Sequence, residues 1–238
     1  MEMIIFQIQF IMTTKTIKRR TFIAATAAAP VILPKTIFGA DRKLNIAFIG
    51  MGGQIQGHVS NTLQLGHNVT AFCDVDPNQT NNSLNRHKDK IKNVNTYMDY
   101  RKLLEKEKSL DAVVIGTPDH WHAPICKAVM KAGKHVYCEK PLTHTIAESR
   151  ELRNLSRSSK VITQTGNQGS ASSNLRRSIE LIQSDLIGQI SNVHVWHPAH
   201  GWPNGGSRPA GEDPTPKGMN WDFWCGPSAM RPYKSGIY

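Results

Sequence analysis

A lysine follows a short apolar run, where it could assist proton transfer. Residues 134–138 read Lys-His-Val-Tyr-Cys, and Glu139, Lys140 and Pro141 come directly after them. Proline cannot continue a strand, so Lys140 is expected at a turn, and the bond to Pro141 can be cis. A lysine held there could hydrogen-bond a substrate hydroxyl and favour its ionisation as hydride leaves. The alternative is a surface ion pair between Glu139 and Lys140.

A glycine-dense turn precedes this segment in the chain. The apolar run 44–49 leads into Gly-Met-Gly-Gly at 50–53, and a predicted helix begins at residue 54. Such glycines let the backbone approach a pyrophosphate, whose charge is held by N–H groups at the helix start. A third glycine is usual at position 55, where this chain has isoleucine. The predicted contacts are Gly50, Gly52, Gly53, Gln54 and Ile55, and packing alone is the alternative.

An aspartate ends the next apolar run, 69–73. The carboxylate of Asp74 could accept hydrogen bonds from the two hydroxyls of an adenosine ribose, and it would repel a 2′-phosphate. The predicted cofactor is therefore NAD, with NADP less favoured.

The segment 117–122 reads Thr-Pro-Asp-His-Trp-His and follows the apolar run 111–115. Doubly wound sheets bind ligands at the carboxyl ends of their strands, so this segment should border the same site. No third metal ligand is near His120 and His122, and a strand would place His194, His197 and His200 alternately on opposite faces. No metal site is predicted.

The elements that position these residues alternate between strand and helix. Short continuous apolar runs predict strands at 44–49, 69–73, 111–115, 134–138 and 160–165. Helices are predicted at 54–65, 78–91, 99–107, 122–132, 145–157 and 172–184. The pattern predicts an α/β fold with a doubly wound parallel sheet, the Rossmann architecture, over residues 41–166. The widely spaced Cys73, Cys126, Cys138 and Cys225 suit buried apolar positions better than a disulfide framework.

Residues 167–238 are predicted to begin a second domain, and the chain changes in character beyond Gly188. The run 189–196 alternates like a strand with one exposed face, and 198–220 is rich in proline and glycine. Trp202 could stack on a sugar ring as readily as pack in a core, whereas Trp221 and Trp224 are expected in a core. One strand and one loop cannot bury a core of their own, so this part predicts the beginning of a second domain.

Charge and length narrow the functional classes. The chain has 238 residues and a formal charge of +11. Its basic residues are spread over predicted helices, and no nucleic-acid-binding motif accompanies them. A solvated surface is favoured over a nucleic-acid partner.

Residues 1–40 are typical of a targeting segment. Arg19 and Arg20 precede apolar residues and the run Ala-Ala-Thr-Ala-Ala-Ala at 24–29, like a twin-arginine export signal. The run is too short for a stable membrane span. Export to the periplasm is expected, and a cytoplasmic protein with a basic tail is the alternative. Translation could begin at Met1 or Met12.

Together these motifs resemble the Gfo/Idh/MocA oxidoreductases, especially members with twin-arginine signals. The resemblance is carried by Phe-Ile-Gly-Met-Gly-Gly at 48–53, the 117–122 segment, Glu-Lys-Pro at 139–141, Thr-Gly-Asn-Gln at 165–168 and Asn-Trp-Asp-Phe-Trp-Cys-Gly-Pro at 220–227. It implies a nicotinamide domain followed by an α/β domain with a large open sheet, which binds sugars and often mediates homo-oligomers. It assigns Lys140 to proton transfer, beside the turn at Pro141. It places Glu139, Thr117, Pro118, His120 and His122 along the cofactor, and Asn167 and Gln168 near the nicotinamide.

Two departures from the family pattern matter. Ile55 replaces a frequent glycine, and the family's downstream aspartate–histidine pair has no counterpart before Tyr238. The chain is therefore expected to be an inactive fragment of a longer enzyme. That enzyme would oxidise a secondary hydroxyl of a sugar or glycoside. The alternatives are an NAD-dependent glycosidase that works in a redox-neutral cycle, or a non-catalytic sugar-binding or assembly protein.

Overall fold

The computed structural model describes residues 42–195 and 210–237. The predicted signal segment lies outside the described residues, as do Trp196, His197, His200 and Trp202. The twin-arginine signal therefore stays a prediction.

The described residues contain a parallel six-stranded sheet in the order β3-β2-β1-β4-β5-β6. This order identifies the doubly wound Rossmann architecture, so the predicted fold class is confirmed. The strands are β1 (Asn45–Ile49), β2 (Asn68–Cys73), β3 (Asn95–Tyr97), β4 (Ala112–Ile115), β5 (His135–Glu139) and β6 (Thr163–Gly166). Ile49 pairs with both Cys73 and Ile115, so these strands end at the same level.

Helices cover both faces of the sheet. The α-helices of the described residues are α1 (Ile55–Gln64), α2 (Pro77–His87), α3 (Tyr100–Lys106), α4 (His122–Lys131), α5 (Ile146–Ser158), α6 (Ser173–Gln183) and α7 (Trp221–Cys225), of which α6 and α7 are not part of the cores beside the sheet. Side-chain caps fix several starts, as in the capping box of Thr145 with Glu148. Successive strand residues point to opposite faces, so Phe48 packs with Ile55 and Val59 of α1, and Ile49 packs with the face covered by α3, α4 and α5.

The sequence pattern missed strand β3. This edge strand has only three residues, Asn-Thr-Tyr, and no apolar run that could have revealed it. It extends the sheet beyond β2 and carries the chain to Met98 and Asp99.

The strand expected at 189–196 is wrong for its described part. Residues 189–195 form no strand, and Val195 is 90% exposed. No neighbouring strand among the described residues could accept its hydrogen bonds, so alternation alone does not produce a strand there.

The four cysteines are buried free thiols, as we expected from their wide spacing and from the positions of two at predicted strand ends and one in a predicted helix. Burial, with added repulsion from Asp74, raises the pKa of Cys73 far above its usual range. Its thiol therefore behaves as a small apolar side chain. In the described part of the chain, no helix is long and apolar enough to cross a membrane.

Candidate cofactor-binding site

The turn after β1 depends on glycine at its first position. Gly50 has a φ of +83°, and its N–H donates to the Cys73 carbonyl at 2.8 Å. A Cβ there would lie 2.5 Å from the backbone nitrogen of Thr117. Both the backbone angle and the close approach of β4 therefore require glycine.

Ile55 stands where a third glycine is usual, and the glycine at position 116 leaves space for its side chain. Its side chain is completely buried, and a Cβ at Gly116 would lie 2.7 Å from its Cδ1. The glycine that permits close helix–strand packing is thus at the end of β4 and not at the start of α1. Ile55 closes the core beneath the turn, and the turn keeps its shape.

The side chain of Gln56 holds the same turn from the helix side. Its Nε2 donates to the Met51 carbonyl at 2.9 Å and to Ser83 Oγ at 2.7 Å. The sequence motif gave no reason to single out Gln56, because it stands one position beyond the glycine pattern.

Asp74 lies beside the turn at the end of β2. Its Oδ2 accepts from the Met51 N–H at 2.7 Å, and its Oδ1 accepts from the Asp76 N–H at 2.9 Å. Burial raises the pKa of Asp74, although these N–H donors act in the opposite direction. Because the pKa is higher in the folded chain, ionisation of Asp74 opposes folding at neutral pH. A charge kept at such a position is typical of a binding site.

Because the pKa of Asp74 is raised, we predict that NAD affinity begins to fall at a higher pH than it would with an aspartate of ordinary pKa. The ionised carboxylate is the form that accepts from ribose hydroxyls, so affinity should fall by roughly tenfold per pH unit below the raised pKa. Titration of NADH fluorescence at several pH values measures this decline. Asp74→Asn should bind weakly with little pH dependence, and a wild-type affinity that stays flat into the usual aspartate range would contradict the prediction.

Some residues of the 117–122 segment line the cavity, and His122 is buried in the core. Thr117 and Pro118 line the cavity described below, whereas His120 lies beside it and donates from Nε2 to the Trp224 carbonyl at 2.8 Å. His122 is 1% exposed, and its ring nitrogens lie 2.8 Å from the Thr117 carbonyl and 2.5 Å from the Pro141 carbonyl. A neutral imidazole donates to one of these acceptors and a protonated ring to both. His122 therefore connects two loops of the site from below.

The end of β5 has one buried acidic residue, Glu139, and is followed by one exposed basic residue, Lys140. Glu139 is 6% exposed, and its Oε1 lies 2.5 Å from Nε2 of His58 on α1. Gly166 packs on this carboxylate, since a Cβ there would lie 2.8 Å from it. Lys140 is exposed, makes no hydrogen bond or ion pair with any described residue, and is joined to Pro141 by a cis bond. The ion pair of Glu139 with Lys140, which was the alternative interpretation, is therefore not formed.

Asn167 and Gln168 follow β6 and are exposed. The Tyr137 hydroxyl donates to Gln168 Oε1 at 3.3 Å, which ties this segment to β5. Neither residue lines the cavity, and neither do Gly53, Gln54, Glu139, Lys140 and Pro141. Their roles toward a cofactor stay predictions.

A cavity of about 400 Å³ lies at the carboxyl ends of β1, β2 and β4. Gly50, Gly52 and Asp74 line its floor, and Thr117 and Pro118 line one side. Residues from the end of the chain line another part: Pro216, Met219, Phe223, Trp224 and Tyr233. Sequence reasoning missed this contribution, because it expected Trp224 in a core and had no signal connecting residues so far apart. The volume is in the usual range of small-molecule sites.

The residues present fit a dinucleotide. Cβ atoms at Gly52 and Gly53 would meet nothing within 4 Å, so the backbone is open where a pyrophosphate would approach it. Helix α1 has no side-chain cap and no acidic residue in its first turn, which leaves N–H groups for an anion. Thr117 Oγ1 is buried without a hydrogen-bond partner in the described part of the chain, so a bound ligand could supply the hydrogen bond that it lacks. Among residues 42–195 and 210–237, no cluster of side chains could hold a metal ion.

Gly52→Ala is expected to weaken NADH binding by roughly tenfold, or about 1.4 kcal/mol, without changing the unfolding midpoint. The added methyl group meets no protein atom but occupies space at the turn that the ligand needs. Fluorescence titration and urea unfolding measure the two effects. Gly57→Ala, an equally open position inside α1, is the control and should bind NADH normally. Equal affinities for the two variants would exclude the proposed approach to Gly52.

The sheet order, the glycine turn, Asp74 and the uncapped helix define an NAD-binding Rossmann domain. The model of the Gfo/Idh/MocA family, described as an oxidoreductase family with an NAD-binding Rossmann fold, matches residues 44–167. The chain belongs to this family.

Curated relatives share about a third of the aligned residues. A glycosyl hydrolase family 109 protein of Shewanella pealeana is 31% identical over 132 residues, which is 53% of this chain and 28% of that protein. An alpha-N-acetylgalactosaminidase of Tannerella forsythia is 32% identical over 125 residues, 49% of this chain and 26% of that protein. The chain thus spans less than a third of the length of these relatives.

Solved structures agree on the fold. The myo-inositol 2-dehydrogenase of Lactobacillus plantarum superposes with a TM-score of 0.56 and 28% identity, covering 63% of this chain and 43% of that one. A scyllo-inositol dehydrogenase of Lactobacillus casei, solved with NAD(H) and scyllo-inositol, has a TM-score of 0.55 over 63% of this chain and 44% of its own. At 21% identity, the second similarity concerns the fold alone.

Proposed function

We propose that the full-length protein oxidises a secondary hydroxyl of a sugar or glycoside and transfers the hydride to NAD, with NADP disfavoured by Asp74. One observation carries this proposal. Lys140 is exposed and without a described partner at the edge of the sheet that holds the cofactor turn. The nicotinamide of the bound cofactor supplies the hydride acceptor. The resemblance to an inositol dehydrogenase supports a polyhydroxylated substrate.

The role proposed for Lys140 is to hold and move the hydroxyl proton. A free amino group can hydrogen-bond a substrate hydroxyl and stabilise the oxygen as its proton leaves. The backbone around Lys140 is fixed on both sides, because His58 contacts Glu139 and His122 contacts the Pro141 carbonyl. Such support keeps a reacting side chain at a constant position.

A second candidate is a glycosidase that oxidises its substrate, breaks a neighbouring bond and returns the hydride. The names of the curated relatives favour it. Both candidates share the first oxidation and the same demand on Lys140. They differ in whether reduced cofactor accumulates.

One experiment separates these candidates. Full-length protein is purified without added cofactor, its NAD content is measured after denaturation, and a panel of free sugars and glycosides is added. Accumulation of NADH identifies the dehydrogenase, and release of free sugar without net NADH identifies the glycosidase. Bound NAD with neither reaction would overturn both and favour the non-catalytic sugar-binding or assembly protein.

We also propose export of the folded protein through the twin-arginine route, on the strength of Arg19 and Arg20 before the apolar run. A cytoplasmic location is the alternative, and fractionation of cells that express the full-length protein distinguishes the two. Assembly into homo-oligomers is proposed from the family resemblance, and light scattering of the full-length protein tests it.

A further inference from the structure

We propose that residues 216–226, which we call the strap, retain the dinucleotide by closing one side of its cavity. This inference uses the NAD-binding domain and does not depend on which hydroxyl the enzyme oxidises. It assigns a cofactor-holding role to a segment that lies outside the Rossmann domain in sequence.

The strap is fastened on both sides of the cavity. On the β2 side, the Asn220 N–H donates to the Val75 carbonyl at 2.9 Å. On the β4 side, Trp121 Nε1 donates to the Phe223 carbonyl at 2.8 Å, beside the contact of His120 with the Trp224 carbonyl. The segment thus bridges the loops after two strands that flank β1.

Close packing fixes the strap at its two glycines. Gly218 has a φ of +88°, and a Cβ there would lie 3.2 Å from Cγ of Pro77. Gly226 has a φ of +50°, and a Cβ there would overlap the indole ring of Trp121. The contact at Gly226 leaves no room for a larger residue, and the contact at Gly218 is tight, so the strap packs closely against the domain.

The strap is also a structured element. Asn220 Oδ1 accepts from the Phe223 N–H at 2.9 Å and caps α7, and the rings of Trp221 and Trp224 stack with centroids 4.6 Å apart. Trp221 Nε1 donates to the Arg231 carbonyl at 2.6 Å, which connects the helix to the residues that follow. A capped and stacked turn of this kind is expected to hold its position better than a bare loop.

The strap covers the cavity and does not fill it. About 400 Å³ remains between Met219, Phe223 and Trp224 of the strap and Gly50, Gly52 and Asp74 of the floor. A dinucleotide bound on the glycine turn would therefore have a protein wall on a side that the Rossmann domain alone leaves open. Closing this side hinders the escape of a bound dinucleotide, so the effect is expected in the dissociation rate.

The test compares release of NADH from variants of the strap. Each protein, at full length, is loaded with NADH and mixed with excess NAD, and the loss of bound NADH fluorescence gives the release rate without any sugar present. Gly226→Ala should unseat the strap from Trp121 and accelerate release by roughly tenfold. Gly236→Ala is the matched control, because Gly236 also has a positive φ of +77° but a Cβ there meets nothing within 4 Å.

A milder variant keeps the test decisive if Gly226→Ala fails to fold. Asn220→Ala removes the cap of α7 without changing a residue that lines the cavity, and it should also accelerate release. Faster release in the strap variants and wild-type release in Gly236→Ala support the proposal. Unchanged release in the strap variants, or equal acceleration in Gly236→Ala, overturns it. The sugar assays above can fail without affecting this result.

Discussion

Replacing Lys140 with methionine is expected to lower kcat of the full-length enzyme by about 10²- to 10⁴-fold. Methionine keeps an unbranched apolar chain but removes the amino group that would hold the substrate proton. Lys140 is exposed and does not line the described cavity, so NAD binding and folding should not change. Single-turnover measurements of nicotinamide reduction isolate the step, and KM should change much less than kcat.

The control for this prediction removes the same charge elsewhere. Lys131 is exposed at the end of α4, and Lys131→Met should react at the wild-type rate. Lys140→Arg keeps the positive charge but holds its proton too firmly to exchange it, so it should remain slow. Wild-type turnover in Lys140→Met would remove the lysine from the proposed mechanism.

Gly50→Ala is expected to destabilise the domain by about 2–5 kcal/mol. About 1–2 kcal/mol comes from placing a side chain at positive φ, and the rest from the methyl group meeting the backbone of Gly116 and Thr117. The displaced strand end would also carry the Thr117 loop with it, so NADH binding should weaken in parallel. Urea unfolding of wild type and variant, with m-values compared, measures the loss.

Gly66→Ala separates the two contributions. Gly66 has a similar φ of +79°, but a Cβ there meets nothing within 4 Å. Its variant should lose only the backbone part, about 1–2 kcal/mol. If both variants were equally destabilised, close contact with β4 would not be the reason that Gly50 is a glycine.

The sequence predicted five of the six strands of the sheet and the edge at which Gly50, Asp74 and Thr117 lie together. Buried parallel strands are continuous apolar runs, and the ligand edge follows from where those runs end. Gly50, Asp74 and Thr117 each stand directly after such a run, which is why their convergence could be expected. Lys140 was placed by the same logic, with Pro141 marking the end of β5.

Contacts between distant residues could not be predicted from local pattern. Ile55 appeared to be an irregularity of the turn until Gly116, on another strand, was seen to provide the space for it. His58 was not singled out, because its partner Glu139 lies 81 positions away. Strand β3 is too short and polar to have a recognisable period, and the expected strand at 189–195 lacked a partner.

The family resemblance predicted roles for individual residues, and the position of His122 differs from the one it implied. His122 was expected beside the cofactor and is instead buried between two carbonyls that belong to the loops of the site. Such a residue acts through the positions of Thr117 and Pro141. A mutation of His122 is therefore expected to displace the loops of Thr117 and Pro141 together.

The order in which the chain is made gives the strap a further meaning. A nascent chain is made from its amino end, so the six strands of the sheet are made before the strap. The contacts of His120 and Trp121 with the strap join residues 104 and 102 positions apart, so they form only after the strap has been made. During that interval the sheet is expected to fold while one side of the nucleotide cavity is still open. If the strap retains the dinucleotide as proposed, cofactor that binds before the strap packs against the domain would be enclosed by it, and we expect loading to accompany synthesis of the chain.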